Sequence, residues 1–289
     1  MRIRTSPLAC ACVALLLCTA AHAEQHILWS LQGKTNKVYL LGSIHMLQST
    51  ETLPPAIDAA YAAAEKLVME IDMDDLDAAK MQQDVAELAM QPQGQSLQQQ
   101  VGPEVYGKLA AEVRPLSVDP ARLNRFKPWF AAITLTQLQM MKLGFDPAAG
   151  VEQQLTRRAS EDHKPIQGLE TAREQLEIMA RLPEKQQREF LLYSLEDAQR
   201  MASELDDLLT AWRRGDAAKM GKLLQEGFDE YPDLYRPLTV ERNRKWVPQI
   251  EQLLDDKDDY LVVVGALHLV GKDSVIDLLE RKGYKLQQL

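Results

Sequence analysis

The chain of 289 residues has few cysteines and aromatic residues, no long uncharged apolar run beyond its start, and a deficit of basic charge. Its three cysteines, Cys10, Cys12 and Cys18, all fall within the first 23 residues, so removal of that segment would leave neither disulfide nor thiol chemistry. Aromatic side chains make up only 6% of the sequence. Lysine and arginine number 33 against 42 acidic residues, and no basic stripe appears, which excludes the clustered positive charge that a nucleic-acid partner requires. Glycine and proline, at 14 each, are not enriched, and the apolar fraction of 46% is ordinary, so collagen-like repetition and wholesale disorder are excluded. No later segment approaches the roughly 20 apolar residues that span a bilayer.

What is present begins with a leader-like segment. Arg2 and Arg4 precede an apolar stretch from Leu8 to Leu17, and Ala21-His22-Ala23 reads as a small-residue cleavage site. The expectation is a signal peptide over residues 1–23 and an exported, periplasmic or secreted chain over 24–289. Leu17 ahead of Cys18 is not the small residue that a lipoprotein signal wants.

The exported part opens with two strands around the polar turn Gly33-Lys34-Thr35-Asn36, then an Ala-rich helix over 56–66 and a short apolar strand over 67–71. Helical periodicity returns over 75–90. This strand, helix, strand order predicts a parallel sheet. From about 96 to 254 the pattern is helical apart from one strand over 165–169, with helices expected over 171–180, 183–214 with a break near Ser203, 216–227 and 239–254. The sheet resumes with the uninterrupted apolar strand Tyr260-Leu261-Val262-Val263-Val264, as a sheet covered on both faces demands. A helix over 272–282 and a final strand near 284–286 follow. The fold class is α/β: a sheet core from about 24–90, 164–170 and 258–289, interrupted by a helical insertion over 96–254.

The most informative motif is an internal echo. Leu40-Leu41-Gly42-Ser43-Ile44-His45 and Val263-Val264-Gly265-Ala266-Leu267-His268 both read as apolar strand, then Gly-x-x-His. Ligands bind outside the carboxyl ends of strands in open α/β sheets, and each copy delivers a histidine there. Two such imidazoles supply metal ligands, or each caps its strand by bonding a backbone carbonyl. Glu70 stands at the end of an apolar strand, where an unpaired buried carboxylate would be costly. Glu170 repeats that placement in Gly168-Leu169-Glu170-Thr171, where a helix N-terminus also favours an acid. Two histidines and a carboxylate form a known catalytic metal set, with a second carboxylate left over as a base. Arg242 and Asn243 head the last helix of the insertion, placed either to stabilise an oxyanion or simply to be solvated. The acidic run Asp72-Met73-Asp74-Asp75 lacks the glycine of a calcium loop, and no zincin, serine-hydrolase or P-loop motif occurs.

Taken in order, Leu41-Gly42-Ser43-Ile44-His45-Met46, Leu67-Val68-Met69-Glu70-Ile71-Asp72, Gly150-Val151-Glu152-Gln153-Gln154-Leu155, Gly168-Leu169-Glu170-Thr171, Glu241-Arg242-Asn243-Arg244 and Gly265-Ala266-Leu267-His268 resemble the TraB/PrgY/GumN family, to which the Tiki metalloproteases are related. The chain looks most like the bacterial, exported GumN-type branch. The resemblance implies a fold similar to the erythromycin-esterase and ChaN-like superfamily, with a mixed, mostly parallel central sheet, two related halves and a large helical insertion. It also implies a metal-dependent hydrolase of peptidase type acting on a peptide or small-molecule substrate. By position, His45, Glu70 and His268 match ligands for a divalent ion such as manganese, cobalt or zinc, and Glu170, Arg242 and Asn243 match catalytic positions. Glu152 falls in a further family block, where helix packing is an equal alternative. The competing readings are a non-catalytic haem- or ligand-binding protein of the ChaN-like type, which the low aromatic content disfavours, and a metal-independent, esterase-like hydrolase.

Overall fold

A computed structural model describes residues 25–197, 200–228 and 232–289. The expected leader and the three cysteines lie outside these residues. Among the described residues there are eight strands: β1 (Leu28–Gln32), β2 (Lys37–Ser43), β3 (Leu47–Gln48), β4 (Lys66–Met69), β5 (Phe145–Asp146), β6 (Ile166–Gly168), β7 (Tyr260–Gly265) and β8 (Leu286–Gln288). Six of them form a mixed sheet in the order β6-β4-β7-β2-β1-β8, and β3 pairs with β5 in a separate two-stranded ribbon. The four adjacent strands β6, β4, β7 and β2 run parallel, with β6 at one edge, whereas β1 pairs antiparallel with both β2 and β8. The α/β class and the mostly parallel sheet expected from the sequence are therefore present.

Strand β7 is buried along its whole length, as its apolar run requires, and sits between β4 and β2. Its register with β2 sets Gly265 beside Ser43 and Val264 beside Gly42, bringing both Gly-x-x-His segments out of the sheet side by side. Trp212, on the helix Met201–Arg213, donates its indole N–H to the carbonyl of Gly42 at 2.8 Å, fastening the helical region onto β2.

Several boundaries move for identifiable reasons. The helix expected over 56–66 is Pro55–Ala63, with proline in the first turn, where its missing N–H costs nothing. The helix expected from 75 starts at Ala78, because the Asp77 carboxylate caps the N–H groups of Ala79 and Lys80. The long helix over 183–214 is two helices, Glu184–Asp197 and Met201–Arg213, the second beginning before Ser203. The last strand lies at Leu286–Gln288, later than expected, and β5 is a second strand within the region read as holding one. Two-residue strands carry no readable periodicity.

A large apolar core flanks the sheet, and two smaller cores lie within the helical region, one around Leu109, Leu135 and Leu191 and the other around Trp129 and Leu234.

Candidate active site

All six residues singled out from the sequence meet at the carboxyl ends of the parallel strands. Met69 pairs with Gly168 across β4 and β6, and the pairing continues outward, with Glu170 N–H donating to the Glu70 carbonyl at 2.9 Å. This sets the two glutamates next to each other. Glu70 turns inward and accepts the Gly265 N–H at 2.7 Å. Gly265 has a steric reason as well: a Cβ there would sit 3.2 Å from Glu70 Oε1 and 3.4 Å from His45 Nε2. The glycine of the second motif thus leaves room for the Glu70 carboxylate and lies in contact distance of the histidine of the first.

His268 is buried, with its side chain 5% exposed. Asn243 donates through Nδ2 to the Asp273 carbonyl at 2.9 Å, which turns its Oδ1 toward His268 Nδ1, 2.7 Å away. That network assigns the proton to Nδ1 and leaves a lone pair on Nε2. Burial lowers the His268 pKa to about 3, outweighing the pull of Glu70, so the ring is neutral. Trp246, one helical turn beyond Arg242, packs on the imidazole with ring centroids 4.4 Å apart.

Arg242 lies at the centre rather than in solvent, its side chain 12% exposed. Its Nε donates to Glu170 Oε1 at 2.9 Å, Nη2 to Glu70 Oε2 at 2.5 Å and again to Glu170, and Nη1 to the Leu238 carbonyl at 3.2 Å and to His268 Nε2 at 3.0 Å. All five guanidinium N–H groups are engaged, which is what a buried arginine needs. Burial pushes the Glu70 carboxyl up, but attraction to His268 once that ring is charged at low pH, to Arg242 and to His45, with the bond from the Gly265 N–H, outweighs it and leaves the pKa at about 2. Gln175 ties the two glutamates further, donating to Glu70 Oε2 at 3.0 Å and to Glu170 Oε1 at 2.8 Å.

His45 stands at the open side, with two-thirds of its side chain (66%) exposed. Its Nδ1 is 2.6 Å from Glu152 Oε1, and Ser43 Oγ donates to the same oxygen. Attraction to Glu152 raises the His45 pKa to about 9. Burial pushes the Glu152 carboxyl up, and its bonds and attraction to His45, with the bond from Ser43, bring it below the usual range. Glu152 occupies the first turn of the helix Val151–Asp162, docked on the His45 backbone: Val151 N–H donates to the Ile44 carbonyl at 3.1 Å. A Cβ on Gly150 would fall 2.1 Å from the His45 carbonyl oxygen. Glu152, given from the sequence only as part of a family block or as a helix-packing residue, is thus in direct contact with His45 from the first turn of its helix.

Among the described residues, no three His, Cys, Asp or Glu side chains lie close enough to enclose a metal ion, because the Arg242 guanidinium stands among Glu70, Glu170 and His268. The donor chemistry nevertheless fits a cation. Glu70 and Glu170 pair with the one guanidinium and Glu152 with His45, so the three carboxylates leave negative charge in excess whether or not His45 is protonated. Each histidine has its Nδ1 committed to an acceptor, the arrangement that orients Nε2 as a ligand. His268 Nε2 and Glu70 Oε1 are 3.7 Å apart, a span that two bonds of about 2.1 Å to one ion can bridge.

The chain matches the TraB/PrgY/gumN family over residues 27–288. It is 26% identical over 270 residues to proteins of Shigella flexneri and Escherichia coli (strain K12), each described as uncharacterized protein YbaP, covering 90% of this chain and 96% of each relative. No solved structure matches. The family match spans the strands and the helical region alike, and the chain belongs to the TraB/PrgY/gumN family.

Proposed function

We propose that the protein is an exported, metal-dependent hydrolase that cleaves a peptide or related acyl bond. The observation that carries this reading is the convergence of His45, Glu70 and His268, each histidine with its Nδ1 already committed, on a site with surplus negative charge. His45 Nε2, Glu70 and His268 Nε2 would hold a divalent ion, with manganese, cobalt and zinc as candidates. Such an ion supplies Lewis acidity and lowers the pKa of water.

The chain's own groups divide the remaining work. Glu170 has Oε1 committed to Arg242 and Gln175, so Oε2 is the atom that takes up and returns a proton. Arg242 holds both glutamates in place, and the Nη1–H that it gives to His268 Nε2 is the bond it can redirect toward developing negative charge. Asn243 fixes the His268 tautomer, and Glu152 fixes that of His45. The leader-like segment over residues 1–23 supports export.

A metal-independent, esterase-like reaction is the second reading, favoured by one observation: Arg242 already supplies a cation to Glu70 and Glu170. Hydrolysis of a peptide and ester library separates the two. The metal reading predicts activity that a chelator abolishes and manganese, cobalt or zinc restores. Chelator-resistant turnover would overturn it in favour of the second.

A further inference from the structure

The helical region holds a half-enclosed cavity of about 670 Å³ beside the site, within the range of small-molecule pockets. Six helical segments each turn apolar side chains toward it, among them Met140, Phe190, Leu205, Leu208 and Leu224. Leu205, Leu208 and Leu224 are only partly buried, so the segments surround the space instead of closing on one another. The charged residues of the lining, Arg200, Glu204 and Glu226, have side chains 60%, 48% and 53% exposed, which places them at the rim. A close-packed interior leaves no void of this size without a purpose or a cost.

The chemistry of the wall selects the occupant. A peptide backbone brings one donor and one acceptor per residue, each needing a partner. Among the described residues, the polar groups of the inner wall are the hydroxyls of Thr136 and Tyr193, the latter already engaged, against a majority of apolar side chains. An aliphatic chain needs no partner, and flexible leucine and methionine side chains adapt to its shape. The position is also specific. Leu238 lines the cavity, and its carbonyl accepts the Arg242 Nη1–H at 3.2 Å. Leu238 belongs to a π-turn over Arg236–Val240 that leads directly into the helix bearing Arg242, and such turns recur at functional sites.

We infer that this cavity binds the aliphatic chain of an acyl-bearing molecule whose polar end is presented to Arg242. The binding half stands on the cavity alone; the assignment of that molecule as substrate rests on the hydrolase reading. The test is a fluorescence titration of the leaderless chain with cis-parinaric acid. Saturable binding is expected, with the probe displaced by decanoate but not by butanoate. Leu224→Trp and Leu205→Trp, on different helices, should each weaken it at least about tenfold, whereas His45→Ala should leave it unchanged. The displacement experiment needs no variant, so a misfolded substitution does not spoil the test. Absence of saturable binding, or equal displacement by the short and long acids, would overturn the inference while leaving hydrolysis of other substrates intact. Binding without hydrolysis of any acyl ester or amide would keep the site and remove its role as a substrate pocket. For the substrate role itself, KM on acyl esters should fall as the chain lengthens in the wild type and not in Leu224→Trp, with kcat on acetyl esters alike in both.

Discussion

His45 Nδ1 and Glu152 Oε1 lie 2.6 Å apart, although their residues belong to different elements far apart along the chain. The contact fixes which imidazole nitrogen faces the cleft and adds a negative charge behind it. Glu152→Gln keeps the size of the side chain and removes the charge. Divalent-metal affinity, read by isothermal calorimetry, should drop about 10- to 100-fold, with the fold intact. In the metal-free variant, the His45 pKa read by NMR should fall from about 9 toward its ordinary 6.5. An unchanged affinity would remove Glu152 from the site's function.

Arg242→Gln withdraws the cation shared by two buried carboxylates. Unfolding in urea should show a loss of about 3–5 kcal/mol, the cost of leaving a buried charge uncompensated. Manganese should return more stability to this variant than to the wild type, because an added cation replaces the missing one. Equal stabilisation of both proteins would argue that the ion and Arg242 do not share Glu70.

The paired Gly-x-x-His segments, Glu70 and the parallel core were legible in the sequence because each leaves a local signature: an apolar strand, a turn glycine, and an acid where burial would be costly without a partner. Arg242 was legible only as a choice. At a helix start an arginine is ordinarily solvated, and its burial depends on Glu70 and Glu170, which arrive from strands far away in sequence. Glu152 was harder still, since an acid in the first turn of a helix is already explained by the helix dipole. Its contact with His45 follows from the close docking at Gly150, which no periodicity records. The acyl-chain cavity was invisible for a related reason: helical spacing shows that Leu205, Leu208 and Leu224 share apolar faces, not that those faces fail to close.

Gly265→Ala probes the fit between the two motifs. Its added Cβ would press on Glu70 Oε1 at 3.2 Å and come into ordinary contact with His45 Nε2 at 3.4 Å, so the Glu70 carboxylate must give while the strand itself remains. Turnover should fall several-fold, up to about tenfold, because the carboxylate gives by less than the ångström that costs about 100-fold, with little change in far-ultraviolet circular dichroism. Full activity in this variant would mean that the two side chains do not work at the positions seen.

The pH dependence of stability carries a sign. His268 has its pKa depressed to about 3 by burial, against an ordinary value near 6.5, so the unfolded chain binds a proton between these limits that the folded chain refuses. This contribution is fully present above pH 6.5 and is lost as pH falls toward 3. Metal-free protein should show that slope in urea midpoints, and His268→Asn should flatten it. A wild-type profile with the opposite slope attributable to His268 would mean that the ring is charged in the folded protein.

The central claim is that His45 and His268 together hold a divalent ion. Its most direct test is elemental analysis by mass spectrometry of the purified leaderless protein after loading with manganese, cobalt and zinc, beside the His45→Ala/His268→Ala double variant. The account predicts stoichiometric metal in the wild type and background levels in the folded double variant. Background metal in both, or equal metal in both, would contradict it.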